Sequence, residues 1–139
     1  MQRLTIKGSL PTLNESNNMA RTHWAIAAKQ KKEATDLVAL QCGRLKKIES
    51  PIIVTTHWFI SSKHDPDNIR AGMKYILDGM IKAGKLPNDN QNWVLGFEGD
   101  YFVKVKKGEE KIIVELEEYG EAKKPLDSNK KKVDKRKSA

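Results

Sequence analysis

At 139 residues the chain is long enough for one domain with one hydrophobic core and too short for two comfortable ones. Its 26 Lys and Arg against 18 Asp and Glu give a formal net charge of +8, which suits a polyanionic partner better than a small neutral substrate. Cys42 is the one cysteine, which excludes an internal disulfide and a thiolate metal site, and no segment approaches membrane-spanning length. The first residues, Met1 to Lys7, hold no apolar leader core, so a reducing, cytoplasmic setting without membrane contact is expected. The charge is unevenly spread. Residues 121–139 carry eight basic and three acidic side chains, a net +5, and lack apolar periodicity, so 1–120 is read as the domain and 121–139 as a basic, disordered tail. That tail reads either as a solubilising end or as an arm that grasps nucleic acid.

In chain order, Arg3 to Leu10 alternates in strand fashion, and Leu10 to Asn18 is a polar, turn-rich connector. From about Ala20 to Cys42, Trp24, Ala27, Ala28, Ala34, Leu37, Val38 and Cys42 recur at helical spacing, and Gly43 supplies a stop. The basic residues of this helix, Arg21, Lys29, Lys31 and Lys32, form either a solvated face or a set of phosphate contacts. Pro51 to Ile60 is a strand with apolar residues on both faces, which predicts a central place in a sheet and makes His57 a hydrogen-bonded sheet histidine. A second helix is predicted from Pro66 to Ala83, ended by Gly84. Trp93 to Phe97 and Tyr101 to Lys106 are strand segments interrupted by Glu98-Gly99-Asp100. Lys107-Gly108-Glu109-Glu110 then turns the chain into Ile112 to Glu118. The order β-α-β-α-β-β predicts an α+β domain with helices packed on a small mixed sheet.

The densest chemistry lies in Lys63-His64-Asp65-Pro66-Asp67-Asn68-Ile69, answered about twenty residues later by Asn88-Asp89-Asn90. A protein that only coats a polyanion gains from Lys and Arg, whereas every Asp near the backbone opposes binding. Acids clustered in a basic chain are explained by a divalent cation, which cancels their charge and polarises a phosphate oxygen or activates a water. The competing explanation is local: Asp at the N-cap, Pro at N1 and another acid in the first turn is how a sequence starts a helix. At 100° per residue, Ile69, Met73, Ile76 and Met80 form the core stripe of the second helix. Asp67, Lys74 and Asp78 share another side within about 40°. Lys74 is placed to stabilise charge on a phosphate bound at the helix start or to protonate a leaving oxygen. Asp78 is expected to pair with Lys74 or Lys82 at four-residue spacing. A single helix from Pro66 to Ala83 would span about 27 Å, yet Gly84 to Asp89 reaches back only about 17 Å. Either the helix is shorter or bent near Gly72, or Asp89 meets Asp65 and Asp67 of another subunit.

The stretch Asp65-Pro66-Asp67-Asn68-Ile69, with Lys74 to Met80, Ala83-Gly84 and Asn88-Asp89, resembles the RusA family of Holliday-junction resolvases; the loop Leu10 to Glu15 also looks like that family's opening segment. The resemblance covers roughly Leu4 to Leu116, and its specific part is the second-helix block. It implies a homodimeric endonuclease, dependent on Mg²⁺ or Mn²⁺, that makes paired symmetric nicks in four-way DNA during recombination and repair. Carried over, Asp65, Asp67 and Asp89 match the metal-binding aspartates and Lys74 the catalytic lysine. Arg21, Lys29, Lys31, Lys32, Lys63, His64 and Asn14 are the candidate DNA contacts. The chain departs from the family at His64, where Arg is usual, and at Asn88, where an acid often stands. Two alternatives share these residues: a non-catalytic protein that binds branched DNA, and a nuclease for flaps or single strands.

Overall fold

The computed structural model describes residues 1–118, with the backbone alone at 19–22, so the tail predicted for 121–139 lies outside the described residues. The elements are β1 (Gln2–Lys7), α1 (Leu13–Thr22), α2 (Trp24–Leu40), β2 (Ile52–Ile60), α3 (Pro66–Arg70), α4 (Met73–Lys82), β3 (Val94–Lys104) and β4 (Lys111–Glu118). They form an α+β domain around a four-stranded mixed sheet of order β1-β4-β2-β3. β2 is internal, as its two apolar faces predict. It runs antiparallel to β4 and parallel to β3, and the parallel pair is joined by a crossover containing α3 and α4.

One face of the sheet makes the core. Ile52, Val54 and Trp58 of β2 pack with Leu4, Ile6, Ile112, Val114 and Leu116 against the buried residues of α2 and α4. The predicted stripe Ile69, Met73, Ile76 and Met80 lies in that core. α2 and α4 cross closely because position 79 is glycine: a Cβ there would meet Val38 Cβ at 2.5 Å and the Thr35 carbonyl at 3.0 Å. The other face mixes apolar side chains such as Ile53, Phe59 and Ile113 with polar ones and is half-open. His57 Nε2 lies 3.2 Å from Glu115 Oε1 and its ring stacks on Tyr101 at 5.2 Å between centroids. Arg3 Nη2 donates to Glu115 Oε2 at 2.8 Å. His57 first, then Arg3, holds the Glu115 carboxyl below its ordinary range.

Four elements differ from the sequence expectation. The connector from Leu10 to Asn18 contains the start of α1, because Thr12 and Glu15 form a capping box. Thr12 N–H donates to Glu15 Oε1 at 2.9 Å, and Glu15 N–H donates to Thr12 Oγ1 at 3.3 Å. The long first helix is interrupted at His23, so α1 and α2 are separate. The predicted second helix is also two helices, broken at Ala71-Gly72 where the chain passes over Trp58; a Cβ on Gly72 would sit 3.2 Å from the indole. The two segments predicted around Glu98-Gly99-Asp100 form one continuous strand, β3. Its register shifts against β2 leave Leu95 and Glu98 as extra residues, so the interruption is absorbed as bulges. Among the described residues no helix is long and apolar enough to cross a membrane.

Candidate active site

Asp65 occupies the N-cap of α3 with extended backbone (φ −71°, ψ 145°), yet its carboxylate makes no capping bond. The first turn is closed instead by the Asp65 carbonyl, which accepts from Asn68 N–H at 3.0 Å and Ile69 N–H at 3.1 Å. The local role that explains an aspartate here is therefore not performed by its side chain. Asp67, within the first turn, is exposed. Between the acids and the core stands Asn68, buried, whose Oδ1 accepts the backbone N–H of Asn14 at 2.9 Å and joins α3 to the first turn of α1. Asn14, a predicted DNA contact, thus commits its backbone to the fold and leaves its residue exposed.

The other end of α3 is held by residues that the sequence did not single out. Arg70 Nε donates to Asp100 Oδ2 at 2.6 Å, and its guanidinium lies 4.6 Å from the centroid of the Phe97 ring. Thr56 Oγ1 donates to Asp100 Oδ1 and accepts from the Trp58 indole N–H at 2.8 Å. This chain of bonds runs from the buried centre of β2, across β3, to α3. No local sequence signal marks it: Asp100 is thirty residues from Arg70 and is brought beside α3 only by the parallel β2–β3 pairing.

Asp89 is presented by a loop with its own scaffold. Gly84 takes the left-handed conformation (φ 76°), with Gly84 N–H on the Ile81 carbonyl and Lys85 N–H on the Met80 carbonyl, both at 2.9 Å, a Schellman end for α4. Leu86, nearly fully buried, anchors the start of the loop in the core. Asn88 Oδ1 then accepts from Asp89 N–H at 2.7 Å and Asn90 N–H at 3.2 Å, while Asn90 Oδ1 accepts from Asn92 N–H at 2.9 Å. Asn88 shapes the turn and Asp89 projects an exposed carboxylate from it.

The aspartates of the described residues divide cleanly. Asp36 pairs with Lys82 and Lys32, Asp78 with Lys74, and Asp100 with Arg70. Lys82 and then Lys32 hold the Asp36 carboxyl below its ordinary range. Asp65, Asp67 and Asp89 are exposed and have no ion pair or side-chain hydrogen bond among the described residues. Asp78 takes its expected partner Lys74, at a loose 3.8 Å, whereas Lys82 turns to Asp36 instead. Lys74 is 61% exposed, and with α3 and α4 distinct it no longer continues the helix that carries Asp67.

Of the candidate DNA contacts, Lys29, Lys31, Lys63 and His64 are exposed, Lys32 is engaged by Asp36 at 2.9 Å, and the Arg21 side chain lies outside those described. His64 borders a cavity of about 80 Å³ under Trp58 and an open cleft of about 340 Å³ beside Phe102 and Lys104.

As to a metal, Asp65 and Asp67 are oxygen donors without competing partners, and Mg²⁺ needs only one or two carboxylates when phosphate and water complete its octahedron. A three-carboxylate set is not formed within one chain: among the described residues no group of three or more His, Cys, Asp or Glu is gathered to hold an ion. By donor chemistry, exposed carboxylates such as those of Asp65, Asp67 and Asp89 are of the kind that a magnesium or manganese ion takes. No protein-family model matches the chain, and no curated protein matches it.

Proposed function

We propose that this chain is an endonuclease, dependent on Mg²⁺ or Mn²⁺, that cuts branched DNA, with the four-way junction as substrate and a homodimer as the working form. The observation that carries this reading is the division of the aspartates: three are tied to cations of the fold, and Asp65, Asp67 and Asp89 are left exposed in a chain of net charge +8. Structure alone gives those three carboxylates no task. Unneutralised, they oppose DNA binding.

In this reading Asp65 and Asp67 hold the cation, and Asp89 joins them from the second copy of the dimer, since one chain gathers no such trio. The bound ion supplies polarisation of the phosphate and activation of the attacking water. Lys74, exposed and only loosely paired with Asp78, takes up charge on the phosphate or delivers a proton to the leaving oxygen. Lys63 and His64, directly before Asp65, and Lys29 and Lys31 on α2 contact flanking phosphates. A dimer axis places two such sites symmetrically, which paired nicks in a four-way junction require.

A second reading, a branched-DNA binder without catalysis, is favoured by the absence of a three-carboxylate group in one chain among the described residues. Asp67→Asn separates the two. Cutting is abolished while junction binding survives or tightens, because a negative charge near phosphate is removed; a variant that cleaves at the wild-type rate excludes the nuclease assignment.

A further inference from the structure

Trp24 is 79% exposed, whereas Trp58 is 1% exposed and Trp93 partly buried. The exposed indole borders an open groove of about 380 Å³ where α1, α2 and α4 meet. Ala27 and Ala28, one turn beyond Trp24, have side chains too short to cover its ring. Lys31, seven residues on, returns to within about 20° of the same face some 10 Å along the helix. Lys74 and Tyr75 border the groove from α4. Tyr75 is buried and its hydroxyl lies 2.9 Å from Ser16 Oγ, so that wall is fixed. Asn17 and Gln30 add amide groups, and no carboxylate borders the groove among the described residues.

We propose that this groove binds one unpaired nucleotide of the branched DNA, its base stacked on the Trp24 indole and its phosphates against Lys31 and Lys74. An aromatic plate between ammonium groups is the chemistry by which proteins hold single-stranded nucleic acid, because every base has a π-face and every nucleotide a phosphate. A base inside a duplex has both faces covered, so the site selects nucleotides freed from stacking, as at a branch point. The charge argues against a second copy of this chain as the occupant: Lys31 and Lys74, the latter only loosely paired with Asp78 at 3.8 Å, would face their own likeness across a two-fold axis. This site rests on the DNA reading above and extends it. Lys74 belongs to both, so a nucleotide held on Trp24 sets the cut beside the unpaired base.

The test follows Trp24 in the full-length chain, in EDTA, by acrylamide quenching of its fluorescence. The expected result is that a short oligothymidylate shields the indole from acrylamide, whereas a blunt duplex of equal length does not. Trp24→Ala weakens oligothymidylate binding by roughly five- to a hundred-fold, the range one stacked base is worth, and leaves duplex binding unchanged. Trp24→Phe loses less. The proposal is overturned if duplex shields Trp24 equally, or if Trp24→Ala, folded by circular dichroism, binds oligothymidylate as the wild type does. It is likewise overturned if that variant loses self-association in sedimentation with DNA affinity intact. Because no metal is present, a chain that binds this way but cuts no junction with any metal loses the nuclease reading and keeps this site. A nuclease whose Trp24 stays unshielded loses the site alone.

Discussion

Arg70 Nε lies 2.6 Å from Asp100 Oδ2, which fastens the last turn of α3, five residues after Asp65, to the edge strand β3. α3 is only five residues long and too short to be stable by itself, so the placement of both acids depends on this tie and on the Asn68–Asn14 bond. Arg70→Ala leaves the partly buried Asp100 carboxylate with Thr56 alone. It is predicted to cost about 1–3 kcal/mol in urea unfolding, the loss expected for a charged hydrogen bond, and to lower junction cleavage more than junction binding. Arg70 is in this sense a positioning residue. Equal losses of cleavage and binding would assign it to DNA contact instead.

Asn88 presents Asp89 through two backbone hydrogen bonds, at 2.7 and 3.2 Å. A carboxylate accepts the same bonds, so Asn88→Asp is predicted to keep cleavage within a few-fold of wild type. Asn88→Ala removes the acceptor and lets the loop relax. A displaced catalytic group costs on the order of a hundred-fold, and single-turnover cleavage of a junction should fall by roughly ten- to a hundred-fold. Wild-type rates for Asn88→Ala would show that Asp89 has no part in the chemistry.

The crossing of α2 and α4 at Gly79 gives a test of packing without chemistry. Gly79→Ala drives a methyl group into Val38 and the Thr35 carbonyl. Despite the better helix propensity of alanine, the variant should lose about 1–3 kcal/mol. Its melting temperature should fall by roughly 4 °C per kcal/mol. An unchanged or raised melting temperature would mean that the helices separate freely.

Much of this was legible in the sequence, and the misses have definite causes. The central strand, the stripe from Ile69 to Met80 and the stop at Gly84 come from periodicity and glycine chemistry, which act locally. The start of α1 was present as Thr12-x-x-Glu15, a capping signal hidden among residues that also favour turns. The break at Gly72 was foreshadowed by the reach from Gly84 to Asp89, but its cause, the indole of Trp58 beneath it, is tertiary. The two bulges of β3 and the bond between Asp100 and Arg70 depend on strand pairing that no local pattern encodes. For the candidate site, residue types single out the acids and Lys74 as candidates; only the folded chain shows that Asp65 does not cap and that Lys74 lines the same groove as Trp24.

On the open face of the sheet, His57 and Arg3 hold the Glu115 carboxyl below its ordinary value of 4.5. A carboxyl with a depressed folded-state value favours the native state above the unfolded-state value, and that contribution is lost as pH falls through the folded-state value. The urea midpoint of the wild type should therefore fall between about pH 4.5 and lower pH, and Glu115→Gln should flatten that fall while lowering stability near neutrality. Parallel acid limbs for variant and wild type would remove Glu115 from the account.

The central claim, metal-dependent cutting of branched DNA by the exposed aspartates, is tested most directly with a labelled synthetic four-way junction. Linear duplex and flap controls run beside it, each with Mg²⁺, Mn²⁺ or EDTA. The account predicts paired symmetric nicks in the junction with either metal, none in EDTA and none on linear duplex. Tight junction binding without cleavage in any metal would contradict it and leave a binding protein whose aspartates have another use.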